Sequence, residues 1–296
     1  MVFCDVFKPA FPVHRLEKLG HIKNIYVKYF LAEFLGTCLL MLGGCSSSAQ
    51  FVLSKGTSSS DGPVWGWGLS VAMACYATMG VSGAHINPAV SFAFMSVGRL
   101  SLLGMLMFWL AQYLGAFVGA LLAYALHYEA INLYDGGKRA ITGQNATAQI
   151  FATYPQPGLG VYTSVIDQII GTMVLLIFVM AISDKRNSNI PQGLKPLVVG
   201  ALVVFVNYSF VYNCMGAINP ARDMGPRMMT LVVGYGVEVF TIYDYFFWVP
   251  LVMPHVGAFL GAHIYQLFIG WHHADDDDDD ITITNNDLKS FPPEKL

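Results

Sequence analysis

Long apolar runs separated by short polar breaks set the outline of this chain. Residues 29–50 form the first apolar run, closed by a polar loop at 51–63 that holds Gly56, Ser58, Ser59, Ser60 and Asp61. From Gly62 to Gly98 there are 37 residues without Asp, Glu, Lys or Arg. A helix that crosses a bilayer needs about 20 apolar residues. The stretch therefore predicts one crossing, and what remains after Gly83 is too short for a second. That remainder predicts a re-entrant half-helix starting at Asn87, with Arg99 marking its far side. Residues 100–128 predict a third span and residues 162–183 a fourth. Asp184, Lys185, Arg186 and Lys195 bracket the polar loop that follows. Residues 196–221 repeat the second pattern: a span, a break, and a half-helix starting at Asn219. Residues 246–270 predict the sixth span, with Pro250, Pro254 and Gly257 inside it. Residues 129–160 and 231–245 read as loops on one side of the membrane, by parity the side opposite both termini.

The two breaks share a tripeptide. Asn87-Pro88-Ala89 follows Gly83-Ala84-His85-Ile86, and Asn219-Pro220-Ala221 follows Gly216-Ala217-Ile218. Asn is a good N-cap because its side-chain oxygen accepts an orphan backbone N–H. Pro suits the first helical position, where no N–H is needed. Each copy thus starts a short helix inside apolar sequence, which a membrane tolerates only where the broken backbone is shielded by protein or lines a cavity. The halves match elsewhere too. Phe34-Leu35-Gly36-Thr37 resembles Ile169-Ile170-Gly171-Thr172, which sets Glu33 opposite Gln168. Glu33 precedes Asn87 by 54 residues and Gln168 precedes Asn219 by 51. Two halves of three spans each must have opposite orientation. Such inverted repeats hold the substrate path near the midplane with half-helix N-termini pointing at it. A helix N-terminus carries partial positive charge, so two facing ones repel cations, hydronium included.

Composition narrows the class. Of 296 residues, 55% are hydrophobic and 12% charged, against about 25% charged in soluble domains. The expected fold class is an all-α membrane protein with six transmembrane helices plus two re-entrant half-helices in an inverted repeat. The net charge of −3 is dominated by the run Asp275–Asp280, and such a block reads as a disordered, solvated tail. Lys8, Arg15, Lys18, Lys23 and Lys28 before the first span predict a cytoplasmic N-terminus, and no cleaved signal peptide is expected. The five cysteines (Cys4, Cys38, Cys45, Cys75, Cys214) show no metal spacing, and no disulfide is expected. No cofactor, metal or nucleic-acid partner is expected, and no nucleophile–base pair suggests an enzyme. Glu33 is the one acid inside the first span, so it should face the bundle interior. Gln112, Gly115 and Gly119 predict a packed face on the third span. Asn145-Ala146-Thr147 is a possible N-glycosylation site, in keeping with a glycoprotein.

The paired boxes, each on a half-helix in its own half of the chain, resemble the aquaporin family. The continuation Arg222-Asp223-Met224-Gly225-Pro226-Arg227 is similar to its glycerol-conducting branch, the aquaglyceroporins. Phe151-Ala152-Thr153-Tyr154-Pro155 also resembles a segment of the animal members. The likeness covers residues 28–271, with repeat halves at about 28–128 and 160–271. A cytoplasmic segment (1–27) and an acidic cytoplasmic tail (272–296) flank it.

The resemblance implies a passive glycerol and water channel of the plasma membrane. It also implies a homotetramer in membrane lipid, with a pore in each subunit. It implies that Asn87, Pro88, Ala89, Asn219, Pro220 and Ala221 line the pore centre, their amide NH2 groups donating to the permeant. Arg222 and an aromatic residue on the second span, here Trp67, would form the constriction: the ring for carbon, the guanidinium for hydroxyls. An interfacial position, like that of Trp65, is the competing reading of Trp67. Three residues before the second box the glycerol branch carries an aromatic, whereas this chain has Gly216. Twelve residues before that box Gly is usual, and here it is Asn207. A wider or reshaped filter is expected, open to urea or larger polyols. Asp223, Arg227, Pro250 and Leu251 match glycerol-branch markers, Asp223 as a structural brace. The aromatic expected late in the third span aligns with His127, beside Tyr124 and Tyr128. His85 would line the cytoplasmic entrance, where its titration raises the idea of a pH gate. Cys214 would lie near the outer mouth, within reach of mercurials. The rival readings are a water-selective aquaporin, which Asn207 and Asp223 oppose, and a coupled secondary transporter using Glu33 or Asp167. A junctional protein with a vestigial pore is opposed by the intact boxes and Arg222.

Overall fold

The computed structural model describes residues 20–55 and 57–273. The expected character of residues 1–19 and 274–296, including the basic flank at Lys8, Arg15 and Lys18 and the Asp275–Asp280 run, falls outside the described residues. Among the described residues ten α-helices follow one another: α1 (Ile25–Leu53), α2 (Asp61–Ser82), α3 (Pro88–Ser96), α4 (Leu102–Leu126), α5 (Tyr128–Asp135), α6 (Val161–Ser183), α7 (Lys195–Phe210), α8 (Pro220–Thr230), α9 (Glu238–Tyr245) and α10 (Trp248–Tyr265). No strand forms among the described residues. Five of these helices, the last continued to Gly270, are long and apolar enough to cross a membrane. The protein is a multi-pass membrane protein.

Helix α7 is the short crossing. Its 16 residues span about 24 Å at 1.5 Å per residue. The chain turns back after Phe210 to bring Asn219 to the centre of the molecule. The sequence reads 129–160 as loop, but Tyr128–Asp135 is helical and continues α4 beyond a break at His127. The reason is local: the run has helical amphipathicity and ends on Gly136 in the left-handed conformation at φ +66°.

Small residues decide where the long helices meet. Gly115 and Gly119 of α4 lie against the carbonyls of Phe34 and Cys38 of α1. Gly257 and Gly261 of α10 lie against those of Ile169 and Met173 of α6. The two contacts are equivalent, one in each half, and a Cβ at any of the four would run into backbone. Opposite that packed stripe α4 carries Leu102, Leu103, Leu106, Leu110 and Leu114, all exposed. An outward apolar surface of this kind is what a lipid-facing wall requires.

The half-helices join the two halves. Helix α3 packs on α10, and α8 packs on α4, so each half-helix leans on the third long helix of the opposite half. Gly225 of α8 fits closely against Ala116 and Phe117 of α4. Across the middle, α2 and α7 pack through Gly68 against Val204 and Gly200 against Ala72. Asn207 lies about one turn beyond Val204, the Gly68 contact, on α7.

Candidate functional site

Each box is built by its own cap. Asn87 Oδ1 accepts the N–H of Ala89 at 2.9 Å. Asn219 Oδ1 accepts those of Ala221 at 3.1 Å and Arg222 at 3.2 Å. Pro88 and Pro220 occupy the first helical positions. Glu33 prepares the first box. Its two oxygens take Ser82 Oγ (2.6 Å), the N–H of His85 (2.9 Å), the N–H of Ile86 (2.7 Å) and Gln112 Nε2 (2.8 Å). In the second half Gln168 Oε1 takes the N–H of Ile218 at 2.8 Å, the same connection at the aligned position. Ile86 is held at φ +44°, a costly left-handed conformation for a β-branched residue. Its N–H is fixed by Glu33 and its carbonyl by the opposite box.

That last bond changes the expected use of the amides. Asn219 Nδ2 donates to Ile86 O at 2.9 Å, and Asn87 Nδ2 donates to Ile218 O at 3.1 Å. One N–H of each NH2 thus ties the boxes together. The remaining N–H of each has no hydrogen-bond partner among the described residues, and both Asn side chains line a cavity.

The cavity has a volume of about 1260 Å³ and reaches from Ser60, Pro63 and Tyr243 at one face to Asn189, Gln192 and Lys195 at the other. Its wall is two-sided. Leu40, Val71, Val90, Leu175, Val199 and Val203 supply apolar surface, and Ser48, His85, Asn87, Asn207, Asn219 and Arg222 supply polar groups.

Trp67 and Arg222 meet in this wall. The Arg222 guanidinium carbon stands 4.1 Å from the Trp67 ring centroid, a cation–π contact. Trp67 Nε1 donates to Ser48 Oγ at 3.0 Å, and the ring lies flat over Gly44, where any Cβ would collide with it. Arg222 Nη1 donates to the Phe151 carbonyl at 2.8 Å. Its other guanidinium nitrogens have no hydrogen-bond partner among the described residues and face the cavity.

Gly216 also lines the cavity, with φ +61°. A Cβ there would stand 2.9 Å from Asn207 Oδ1 and 3.2 Å from Val211 Cγ2. The room of an absent 216 side chain is thus partly taken by the Asn207 amide, which has no side-chain partner among the described residues. Trp67, Arg222, Asn207 and Gly216 all line this one cavity.

Asp223 turns away from the cavity. Its Oδ2 takes the Thr153 N–H at 2.9 Å and the Thr153 hydroxyl. Arg227 Nε and Nη2 donate to its two oxygens at 2.8 Å each, and Arg227 also reaches the Thr153 and Val239 carbonyls, both at 2.6 Å. This fully buried network fixes the segment that supplies the Phe151 carbonyl. Removing one partner of a buried pair costs about 3–5 kcal/mol. Asp223→Ala is therefore expected to lower the thermal unfolding midpoint sharply, and a midpoint unchanged in detergent would contradict the bracing.

His85 lines the cavity with Nδ1 3.2 Å from Ser91 Oγ, its ring between Phe94 and Phe108. Pro250 sits in the first turn of α10, where no intrahelical N–H is lost, with Leu251 half-buried beside it. Asn145 is exposed in a turn after Gly143. His127 closes α4, while Tyr124 accepts two bonds from Arg139 at 2.9 and 2.7 Å. Asp167 takes Asn213 Nδ2 at 2.9 Å and is not part of the cavity wall.

Cys214 is a correction. It is fully buried against Phe246 and Val249 and does not reach the cavity, because the chain turns its side chain toward α10. Cys75 lines the cavity instead. Mercurial inhibition of flux is accordingly expected to survive Cys214→Ser and to be lost in Cys75→Ser. The reverse pattern would contradict the wall described here.

The model of the family named Major intrinsic protein matches residues 20–265. Aquaporin-9 of Rattus norvegicus is 45% identical over 274 residues, 92% of this chain and 90% of that one. Aquaporin-10 of Homo sapiens is 42% identical over 262 residues, 88% of this chain and 87% of that one. Among solved structures, the aquaglyceroporin from Plasmodium falciparum superposes with a TM-score of 0.74 at 32% identity, covering 82% of this chain and 97% of that one. With six crossings, two capped half-helices meeting at the centre and a cavity running from face to face, this chain belongs to the major intrinsic protein family and is a channel rather than an enzyme.

Proposed function

We propose that this channel conducts glycerol and water passively, together with urea and other small uncharged solutes, and excludes ions and protons. The observation that carries the reading is the pairing of Trp67 with Arg222 across a wall that is otherwise half apolar. Arg222 covers one face of the Trp67 ring and Gly44 the other, so the ring edge and the aliphatic lining at Leu40, Val71 and Val203 give a carbon backbone an apolar surface, and the free guanidinium donors beside them take hydroxyls. The remaining N–H of Asn87 and Asn219 orients an oxygen at the centre, where two half-helix N-termini repel cations. Asn207 adds an amide where the glycerol branch usually has none, which favours solutes with more than one polar edge. Asp223 and Arg227 act as braces, His85 lines the inner entrance, and Asn145 is the glycosylation site.

The channel domain comprises residues 28–271 in two halves, about 28–128 and 160–271, with residues 1–27 and 272–296 in the cytoplasm. It is placed in the plasma membrane as a homotetramer with one pore per subunit. A coupled transporter is disfavoured because Glu33 is engaged by four donors and Asp167 lies off the cavity.

Cells expressing the protein and moved into hyperosmotic glycerol are expected to shrink and then recover their volume within seconds, but to stay shrunken in sorbitol. Lasting shrinkage in glycerol would assign the protein to the water-selective class. Glycerol accumulation that follows an imposed sodium or proton gradient would assign it to coupled transport.

A further inference from the structure

Residues 184–194 join α6 to α7 beside the inner mouth of the cavity, and no helix or strand forms among them. The loop opens on a turn. Asp184 Oδ1 takes the Arg186 N–H at 3.0 Å, and the Asp184 carbonyl takes the Asn187 N–H at 3.3 Å. These bonds turn the next four residues outward, and Lys185, Arg186, Asn187 and Ser188 are all exposed. Ser188 thus stands on a surface turn with Lys185 three positions before it and Arg186 two positions before it. A basic pair at that spacing ahead of a serine is a charge pattern that protein kinases select.

Ser188 also has the least committed serine hydroxyl among the described residues of this end. Ser82 Oγ donates to Glu33 at 2.6 Å, Ser96 Oγ to Ala93 O at 2.8 Å and Ser183 Oγ to Val179 O at 2.7 Å. Ser101 Oγ caps α4 by accepting the Gly104 N–H at 3.1 Å. Ser188 Oγ reaches only the Ala181 carbonyl, at 3.4 Å. That carbonyl belongs to the last turn of α6. A phosphate on Oγ carries acceptors where the hydroxyl carried the donor. It also sets negative charge at the negative end of a helix dipole and near the Asp184 carboxylate. The modified side chain is therefore driven off α6. Two uncommitted cations stand ready for it. Lys185 and Lys195 line the mouth of the cavity, as does Asn189 beside Ser188. Neither lysine makes an ion pair among the described residues.

We propose that Ser188 is a phosphorylation site, and that its phosphate gathers Lys185 and Lys195 across the cavity mouth and narrows it. In the transfer, Ser188 Oγ attacks the γ-phosphorus of a nucleoside triphosphate held by an external kinase. The Oγ–P bond forms and the bond from that phosphorus to the β,γ-bridging oxygen breaks. The nucleoside diphosphate leaves, and the hydroxyl proton passes to the kinase's carboxylate base. Use of the site in a cell rests on the cytoplasmic placement of this face, and the effect on flux rests on the channel reading.

The purified full chain in detergent is incubated with magnesium, ATP and the catalytic subunit of cyclic-AMP-dependent protein kinase, and the product is read by peptide mass spectrometry. Phosphate on Ser188 of the folded chain is expected, absent in Ser188→Ala and strongly reduced in Arg186→Gln. Acylation of Lys185 and Lys195 by an amine-reactive ester is expected to slow about threefold on phosphorylation, with Lys55 at the other face unchanged. In liposomes, glycerol flux is expected to fall about threefold in the phosphorylated chain and to stay constant in kinase-treated Ser188→Ala. Absence of phosphate from Ser188, or its addition only after unfolding, would overturn the proposal. Phosphate without protection of the two lysines, or without a fall in flux in a chain that conducts glycerol, would overturn the narrowing of the mouth. Phosphate and lysine protection with no glycerol flux in any sample supports the site and rejects the channel reading instead. Modification of Ser188 by kinase added outside intact expressing cells supports the acceptor and rejects the cytoplasmic placement.

Discussion

Glu33→Ala is expected to destabilise the pore scaffold strongly. The carboxylate accepts four hydrogen bonds at a site with no exposure. Two of the donors are the backbone N–H groups of His85 and Ile86, which set the entry to the first box. A buried donor left unsatisfied costs about 1–3 kcal/mol. Even if pore water reaches half of the four, the loss is about 4 kcal/mol, a large share of typical stability. The second half shows what the conservative change does. Gln168 supplies one carbonyl oxygen to Ile218, and its NH2 is used on Asp167 at 2.8 Å. Glu33→Gln would keep one acceptor but turn an NH2 toward two donors, so about 2 kcal/mol is expected. The buried free thiols Cys38, Cys45 and Cys214, which lie off the cavity, make a thiol-reactive dye a direct unfolding reporter in detergent. The expected order of midpoints is native, then Glu33→Gln, then Glu33→Ala. A native midpoint for Glu33→Ala would mean that the box loop is held by something other than this carboxylate.

Arg222→Ala is expected to change selectivity more than stability. Arg222 is the one cationic side chain in the middle of the cavity wall; Lys185 and Lys195 stand at its mouth. A unit charge opposes a cation 4 Å away by about 4 kcal/mol at an effective dielectric of 20. The half-helix N-termini remain after the substitution and keep part of the barrier. Proton or sodium leak through proteoliposomes is therefore expected to rise about 10- to 100-fold, less than the full Coulomb figure allows. Loss of the Phe151 anchor and the Trp67 contact also frees the ring, so discrimination between glycerol and larger polyols is expected to fall. Arg222→Gln separates the effects, since it keeps a donor for Phe151 without the charge. A tight pore with unchanged leak in both variants would assign ion exclusion to the half-helices alone.

What the sequence reveals about this molecule is the part written locally. The Asn–Pro starts of α3 and α8 are readable because cap and first-turn residues are neighbours in the chain. The equivalence of Glu33 and Gln168 is readable because the repeat preserves spacing to each box. What it hides is carried by contacts across the repeat. The bonds from Asn87 to Ile218 and from Asn219 to Ile86 join residues more than 130 positions apart, and no local pattern announces them. The Phe151 carbonyl that holds Arg222 is a backbone group, and side-chain motifs cannot name it, although the Phe151–Pro155 segment stands out by resemblance. Cys214 misleads for a related reason. Nearness in sequence to a pore box does not fix which way a side chain turns in a loop that doubles back. Gly216 and Asn207 read as two separate departures in sequence, and only the structure, where a Cβ at 216 would stand 2.9 Å from Asn207 Oδ1, makes them one feature of the wall.

The central claim is that the Trp67–Arg222 wall passes glycerol as well as water. Stopped-flow light scattering on proteoliposomes tests it most directly, first under an impermeant osmolyte and then under a glycerol gradient. The expected trace is fast shrinkage in the first case and fast shrinkage followed by fast re-swelling in the second. Re-swelling no faster than in protein-free liposomes would contradict the account.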